Sequence, residues 1–192
     1  NLISKYIADK SIKYTDYFLQ KNQDNFVYIV LNKNDMAGYM YYIKESNLLL
    51  VPAAIELPEK LYSSYNKSDE LCLIFVGSLN VKMNYDALVY FADKYFNELK
   101  QSVSRKIIVK IVGKNPSSQV KKLCLKYNWS LSPNVSNKDL SKLLSSSDYM
   151  IMPFPYTTGS KLKLLEAFSH NLPVLSTLNI KDQIDLSEFN NF

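Results

Sequence analysis

From Gly159 to Glu166 the chain reads GSKLKLLE, an order of charges that a segment serving only as a stable helix would not choose. Leu164, Leu165 and Phe168 recur at helical spacing, which places Lys161 and Lys163 in the first helical turn. The macrodipole already presents positive potential there, and each added cation costs roughly 0.3 to 1 kcal/mol. Helix-start N–H groups, a glycine that permits close approach and two ammonium groups together suit a phosphate or diphosphate. Glu166 follows Lys163 at i, i+3, on the same side of the helix, where its carboxylate can accept hydrogen bonds from the vicinal hydroxyls of a ribose. A plainer account pairs Lys163 with Glu166 as a surface contact of about 0.2 to 0.5 kcal/mol and leaves Lys161 solvated. On the residues alone both accounts stand.

The elements that must hold these side chains are legible around them. Tyr149–Met152 is a short apolar strand ending at Pro153, and Thr158 or Ser160 can cap the helix that follows. Asn171 suits the left-handed position after that helix, Pro173 forbids its continuation, and Val174–Ser176 is a further strand. Strand, loop, helix and strand make a right-handed crossover unit of a parallel sheet.

The same alternation extends upstream. Leu71–Val76 and Lys106–Val112 read as buried strands and Trp129–Ser132 as a short one. Helices are expected over Asn84–Lys100, from Ser117 or Ser118 to Tyr127, and over Lys138–Ser145. The fold class is therefore α/β, an open parallel sheet with helices on both faces, Rossmann-like in plan. Gly77, Gly113 and Gly159 each fall where a strand hands over to a helix, the edge at which open α/β sheets bind ligands, although tight turns there call for glycine anyway. Ahead of this block lie a helix within residues 1–24, a strand Phe26–Leu31, a helix Asp35–Lys44 and a strand Leu48–Val51. A stretch with Pro58 and a Ser63-Ser64-Tyr65-Asn66-Lys67-Ser68 run separates the two parts.

Composition narrows the function classes. With 192 residues, 47% of them hydrophobic, the chain can bury a sizeable core. Its net charge of +5 is spread along the sequence, which favours general affinity for phosphates or acidic lipid surfaces over a dedicated nucleic-acid face. Cys72 and Cys124 sit in no metal or redox spacing, and one histidine, His170, cannot build a multi-histidine metal site. His170 stands at a helix end, where it complements the terminal dipole. No run approaches the roughly 20 apolar residues needed to cross a bilayer, and no signal peptide is visible. The absence of Gly-x-Gly-x-x-Gly and of Gly-x-x-x-x-Gly-Lys-Ser/Thr argues against NAD-type Rossmann domains and P-loop NTPases.

Gly159-x-Lys161-x-Lys163-x-x-Glu166-Ala167, followed by Pro173-Val174 and Ser176-Thr177, resembles the donor-site signature of GT-B glycosyltransferases of the group 1, family 4 type. Phe75-Val76-Gly77-Ser78-Leu79 with Asn84-Tyr85-Asp86-Ala87-Leu88 is similar to the family's Phe-Val-Gly-x-Leu loop and its following helix. Ile111-Val112-Gly113, Leu140 to Asp148 and Met152-Pro153 continue the likeness over roughly Leu71 to Thr177.

The resemblance implies that Gly77, Ser78, Gly159, Ser160, Lys161 and Lys163 face the donor diphosphate, and that Gly113, Val135, Ser136 and Glu166 border the nucleobase and ribose. Catalytic residues stay unassigned. The expected donor is a UDP- or GDP-linked sugar, with no separate cofactor, no metal and no nucleic-acid partner. Two positions depart from the pattern. Thr158 stands where many relatives carry a first Glu, and Ser78 and Met83 stand at the turn's usual Arg and Lys, with Lys82 beside them to help the phosphate.

By the same resemblance, residues 1–57 are the tail of an N-terminal acceptor-binding domain, 58–70 a linker, and 71–192 the nucleotide-sugar domain, truncated at its C-terminus. A glycan or lipid-linked acceptor would be bound mainly by the missing N-terminal part, and the chain alone is expected to be inactive. A cytoplasmic protein in peripheral contact with the inner face of the membrane is implied. Two other classes remain at this stage: a GT-B sugar-nucleotide epimerase and a non-catalytic α/β interaction module.

Overall fold

A computed structural model describes residues 15–22, 24–31, 33–51, 54, 69–156 and 162–178. The part of the helix expected within residues 1–24 that precedes residue 15, and most of the 58–70 segment, lie outside the described residues. The chain divides into two compact units, Asn1–Ala53 and Ala54–Phe192.

The first unit holds helix α1 (15–22), strand β1 (Tyr28–Val30), helix α2 (Lys33–Tyr39), a single 3-10 turn at Glu45–Asn47 and strand β2 (Leu48–Leu50). The two strands pair in parallel with Tyr28 opposite Leu48 and Val30 opposite Leu50, so the intervening helix is the crossover that parallel pairing demands. Leu19, Val30, Ile43 and Leu48 form its core. Ile29 and Leu49 point to the other face and are 63% and 50% exposed.

Among its described residues the second unit is built on five parallel strands in the order β5-β4-β3-β6-β7. These are β3 (Glu70–Val76), β4 (Lys106–Gly113), β5 (Ser130–Pro133), β6 (Tyr149–Met152) and β7 (Val174–Ser176). Leu73, Ile74 and Phe75 in the central strand are fully buried, as a strand covered on both faces requires. The helices are α3 (Lys82–Phe91), α4 (Asn97–Ser102), α5 (Ser118–Tyr127), α6 (Asn137–Ser145) and α7 (Leu162–Ser169).

The sequence predicts one uninterrupted helix over Asn84–Lys100, whereas α3 and α4 are joined by a π-helical turn, Ala92–Phe96. Phe91 and Phe96 explain it. Five residues apart, they would diverge by about 140° around an α-helix, while i, i+5 geometry brings them to one side. Both are buried against Trp129, at 5.7 and 5.3 Å between ring centroids. The widened turn thus buries two rings where an α-turn would bury one.

Ends of elements are set by side-chain chemistry. Ser117 caps α5 by accepting from Val120 N at 3.2 Å, and Ser136 caps α6 by accepting from Asp139 N at 3.1 Å. Asn115, Asn128, Asn134 and Asn171 adopt left-handed backbone with φ between 51° and 54°, so asparagine takes the turn positions that this glycine-poor sequence does not give to glycine. Asn171→Ala is expected to cost about 1 kcal/mol and Asn171→Gly close to nothing, since alanine lacks the tolerance of both for φ near 52°. Urea denaturation of the two variants beside the parent measures the difference.

Candidate functional site

The carboxyl ends of β3, β4 and β6 meet at one edge of the sheet, and the connections leaving them are stitched together by backbone. Gly77 N donates to Val112 O at 3.0 Å, Leu79 N to Lys114 O at 2.8 Å, and Asn134 N to Gly113 O at 2.9 Å. The crowding is greatest at Gly113. A Cβ there would lie 1.7 Å from the carbonyl oxygen of Gly77, so the neighbouring backbone already demands glycine at this position.

Around Gly77 the space a side chain would fill is taken by two polar groups. A Cβ would meet Asn84 Nδ2 at 2.9 Å and Lys163 Nζ at 3.1 Å. Asn84, in the first turn of α3, is buried, and its Nδ2 donates to Ser78 O at 2.9 Å. Lys163, in the first described turn of α7, donates from Nζ to Asn84 Oδ1 at 2.8 Å. The same ammonium lies 4.7 Å from the ring centroid of Phe154 and 5.1 Å from that of Phe75, two buried phenyl rings at the ends of β6 and β3. Cation–π attraction and the charge-assisted hydrogen bond to Asn84 therefore help to hold the cation against the Gly77–Ser78 turn.

Lys82 has another engagement. Its Nζ lies 2.6 Å from Asp86 Oδ2, and Tyr156 donates its phenol to the same oxygen at 2.6 Å. These hydrogen bonds, that of Lys82 first, hold the Asp86 carboxyl below the usual carboxylate range. The lysine expected to assist the phosphate is thus paired within its own helix.

On the β4 side, Asn134 Oδ1 accepts from Asn115 N at 3.0 Å, which fixes the turn leading into Val135 and Ser136. The Ser136 hydroxyl accepts from Asp139 N and donates to Asp139 Oδ2 at 2.7 Å. With that hydroxyl spent on the helix cap, what Ser136 offers a ligand is its backbone. Val135 is half-buried against the main core.

Glu166 lies on α7, one turn beyond Lys163. Burial raises its carboxyl above the ordinary value of 4.5, and the charges of His170 and Lys163 act in the opposite direction. Its backbone carbonyl accepts from Ser169 Oγ at 2.8 Å and from His170 Nδ1 at 2.9 Å, so the imidazole does sit on the last-turn carbonyls. His170 Nε2 is 2.9 Å from Ser141 Oγ, which ties the end of α7 to α6.

The raised Glu166 pKa has a signed consequence. The fold binds this proton more tightly than the unfolded chain, so stability falls as pH rises from about 4.5 through the raised folded value. Glu166→Gln removes that loss. Its melting temperature should match the parent's in acid and exceed it increasingly toward neutral pH, a comparison that thermal melts across pH 4 to about 8 would make.

The structure therefore gathers Gly77, Ser78 and Lys163 at one point and Gly113, Val135 and Ser136 beside it, with Glu166 on the helix that carries Lys163. Gly159, Ser160 and Lys161, with the variant position Thr158, lie outside the described residues. Asn84, Phe75 and Phe154 were not singled out as site residues from the sequence. Asn84 stands within the quoted Asn84-Tyr85-Asp86-Ala87-Leu88 motif, which was the available signal. Among the described residues no group of three His, Cys, Asp or Glu side chains could hold a metal, and no helix is long and apolar enough to cross a membrane.

A family profile described as glycosyl transferases group 1 matches residues 70–187. Among solved structures, TarM superposes with a TM-score of 0.65 at 15% identity, over 88% of this chain and 34% of its own. A second TarM structure, from S. aureus, contains UDP. The pneumococcal O-GlcNAc transferase GtfA, solved with UDP and GlcNAc, gives 0.60 at 17% identity, over 85% of this chain and 32% of its own. WaaG, a glycosyltransferase of lipopolysaccharide biosynthesis, gives 0.52 at 19% identity, over 77% and 43%. These likenesses establish the fold, and the chain spans about a third of the length of TarM and GtfA. No curated protein matches by sequence.

Proposed function

The chain belongs to the glycosyl transferases of group 1, and from that premise we propose that its second unit binds the nucleotide-diphosphate sugar donor of a GT-B enzyme at the carboxyl edge of the sheet. The observation that carries this reading is the Lys163 ammonium, fixed by Asn84 and two phenyl rings beside the Gly77–Ser78 turn. A cation held there meets the diphosphate, and charge on that diphosphate grows as it departs from the sugar, so the interaction strengthens in the transition state. Gly159, Ser160 and Lys161 would complete the diphosphate side, Gly113, Val135 and Ser136 the nucleobase side, and Glu166 the ribose.

The UDP seen in the TarM and GtfA structures supports a UDP-linked donor, with a GDP-linked one as the alternative base. Residues 1–57 would belong to an acceptor-binding domain, 58–70 to a linker and 71–192 to the donor domain. The acceptor would be a glycan or lipid-linked glycan held mainly by the acceptor domain. The net charge of +5 suits peripheral contact with an anionic membrane surface, at the cytoplasmic side.

Melting the protein with UDP, GDP and ADP tests the reading. At a concentration 100 times the dissociation constant, a ligand of the folded state adds about 2.7 kcal/mol. UDP or GDP should raise the melting temperature by several degrees. No shift with any of the three would contradict a donor site on this chain.

A further inference from the structure

We infer that Asp86 and Tyr156 form the subsite for the sugar of the donor, the carboxylate accepting from sugar hydroxyls and the phenol ring carrying the sugar's C–H face. The inference rests on the donor reading given above. Asp86 belongs to α3, two residues beyond the Asn84 that meets the Gly77–Ser78 turn, about 3 Å further along the axis at about 1.5 Å per residue. Tyr156 follows two residues after Phe154, whose ring the Lys163 ammonium touches. The hydrogen bond between them therefore joins α3 to the connection leaving β6, 70 positions along the chain, on the margin of the proposed diphosphate site. A sugar linked to that diphosphate has to lie next to it.

What singles out Asp86 is the use of its two oxygens. Lys82 Nζ and the Tyr156 hydroxyl both donate to Oδ2, each at 2.6 Å. Oδ1 accepts no hydrogen bond among the described residues and is not sealed from solvent. The side chain is only 22% exposed, so its two partners on one oxygen fix the direction in which the other one points. That open oxygen is a ready acceptor for hydroxyl donors. The Lys82 ammonium beside it spends one of its three N–H groups on Asp86 and is 82% exposed, which leaves donors for a hydroxyl oxygen. Tyr156 is 51% exposed with its hydroxyl anchored, so its ring presents an apolar face that is held in place. Acceptor, donor and aromatic face in one place match the hydroxyl and C–H surfaces of a pyranose. The carboxylate argues against a second phosphate position here, since like charges repel.

Calorimetric titration tests this, with UDP, UDP-glucose, UDP-galactose, UDP-N-acetylglucosamine, GDP and GDP-mannose added to the parent, Asp86→Ala and Tyr156→Ala. Both variants should bind the bare diphosphate within about twofold of the parent and the accepted sugar nucleotide about tenfold more weakly, the scale of one hydrogen bond to a charged group. Should Asp86→Ala fail to fold, Asp86→Asn replaces it, since its amide oxygen still accepts but without the charge, and the loss must again be confined to the sugar nucleotide. Equal losses with and without the sugar, or no loss with either, would overturn the subsite. A parent that binds UDP or GDP but none of the sugar nucleotides would overturn it too and leave the diphosphate reading in place. If the parent binds no nucleotide at all, the donor reading fails first and the subsite with it.

Discussion

Replacing Lys163 with alanine is expected to weaken UDP or GDP binding by about 1.5 to 3 kcal/mol, the range for a charge-assisted hydrogen bond. Removing Lys161 as well should bring the loss to roughly 2 to 4 kcal/mol, with overlap between the two cations keeping the sum below additivity. The effect on the unliganded protein separates two pictures of the lysine. Considered only as a cation in a first helical turn, Lys163 opposes the dipole, and its removal would leave the fold unchanged or slightly more stable. The structure gives it partners, Asn84 Oδ1 at 2.8 Å and the rings of Phe75 and Phe154. Lys163→Ala should therefore cost the free protein about 1 kcal/mol, because the buried amide loses its donor. Calorimetric titration paired with unliganded melts measures both halves. A variant that binds nucleotide as well as the parent but melts far below it would make the lysine a structural cation and nothing more.

Gly113→Ala should be among the most damaging single substitutions in the chain, costing more than about 3 kcal/mol. The reason is space, because the new methyl carbon would sit 1.7 Å from Gly77 O and 2.8 Å from Gly77 C. Backbone on both sides of this contact is tied into the β3–β4 ladder, so neither strand can yield without losing hydrogen bonds. Gly38 supplies the control. Nothing lies within 4 Å of a Cβ placed there, and in α2 an alanine should be neutral or stabilising by up to about 0.5 kcal/mol. Guanidinium denaturation of both variants tests the contrast, and a Gly113→Ala protein as stable as the parent would show that the two strands part more easily than their register implies.

What the sequence disclosed followed from how local each signal was. Leu71 to Val76 announced a buried strand because every residue of the run is apolar, and Asn171 before Pro173 announced a helix end because few residues besides glycine tolerate its φ of 52°. The π-helical turn at Ala92–Phe96 was hidden, since its cause is Trp129, a residue far along the chain that both Phe91 and Phe96 must reach. Lys82 and Lys163 look alike in the sequence. Only the fold shows one paired with Asp86 four residues away and the other delivered to Asn84 across 79 residues. Asn84 shows in the sequence only as a member of the Asn84-Tyr85-Asp86-Ala87-Leu88 motif, because a polar residue in a first turn reads as an ordinary surface position until its burial is known. The Gly113 requirement, by contrast, was visible but ambiguous, and the 1.7 Å approach of Gly77 O gives it a packing cause whether or not a ligand also comes near.

The central claim, a nucleotide diphosphate bound where β3 and β4 end and α7 begins, is most directly tested by titrating UDP, and then GDP, into isotope-labelled protein while following backbone amide resonances. The account predicts saturable shifts concentrated at Gly77, Ser78, Gly113, Val135, Ser136 and the first turn of α7 from Leu162 to Glu166. Saturable binding whose shifts fall elsewhere, or no shifts at millimolar nucleotide, would contradict it.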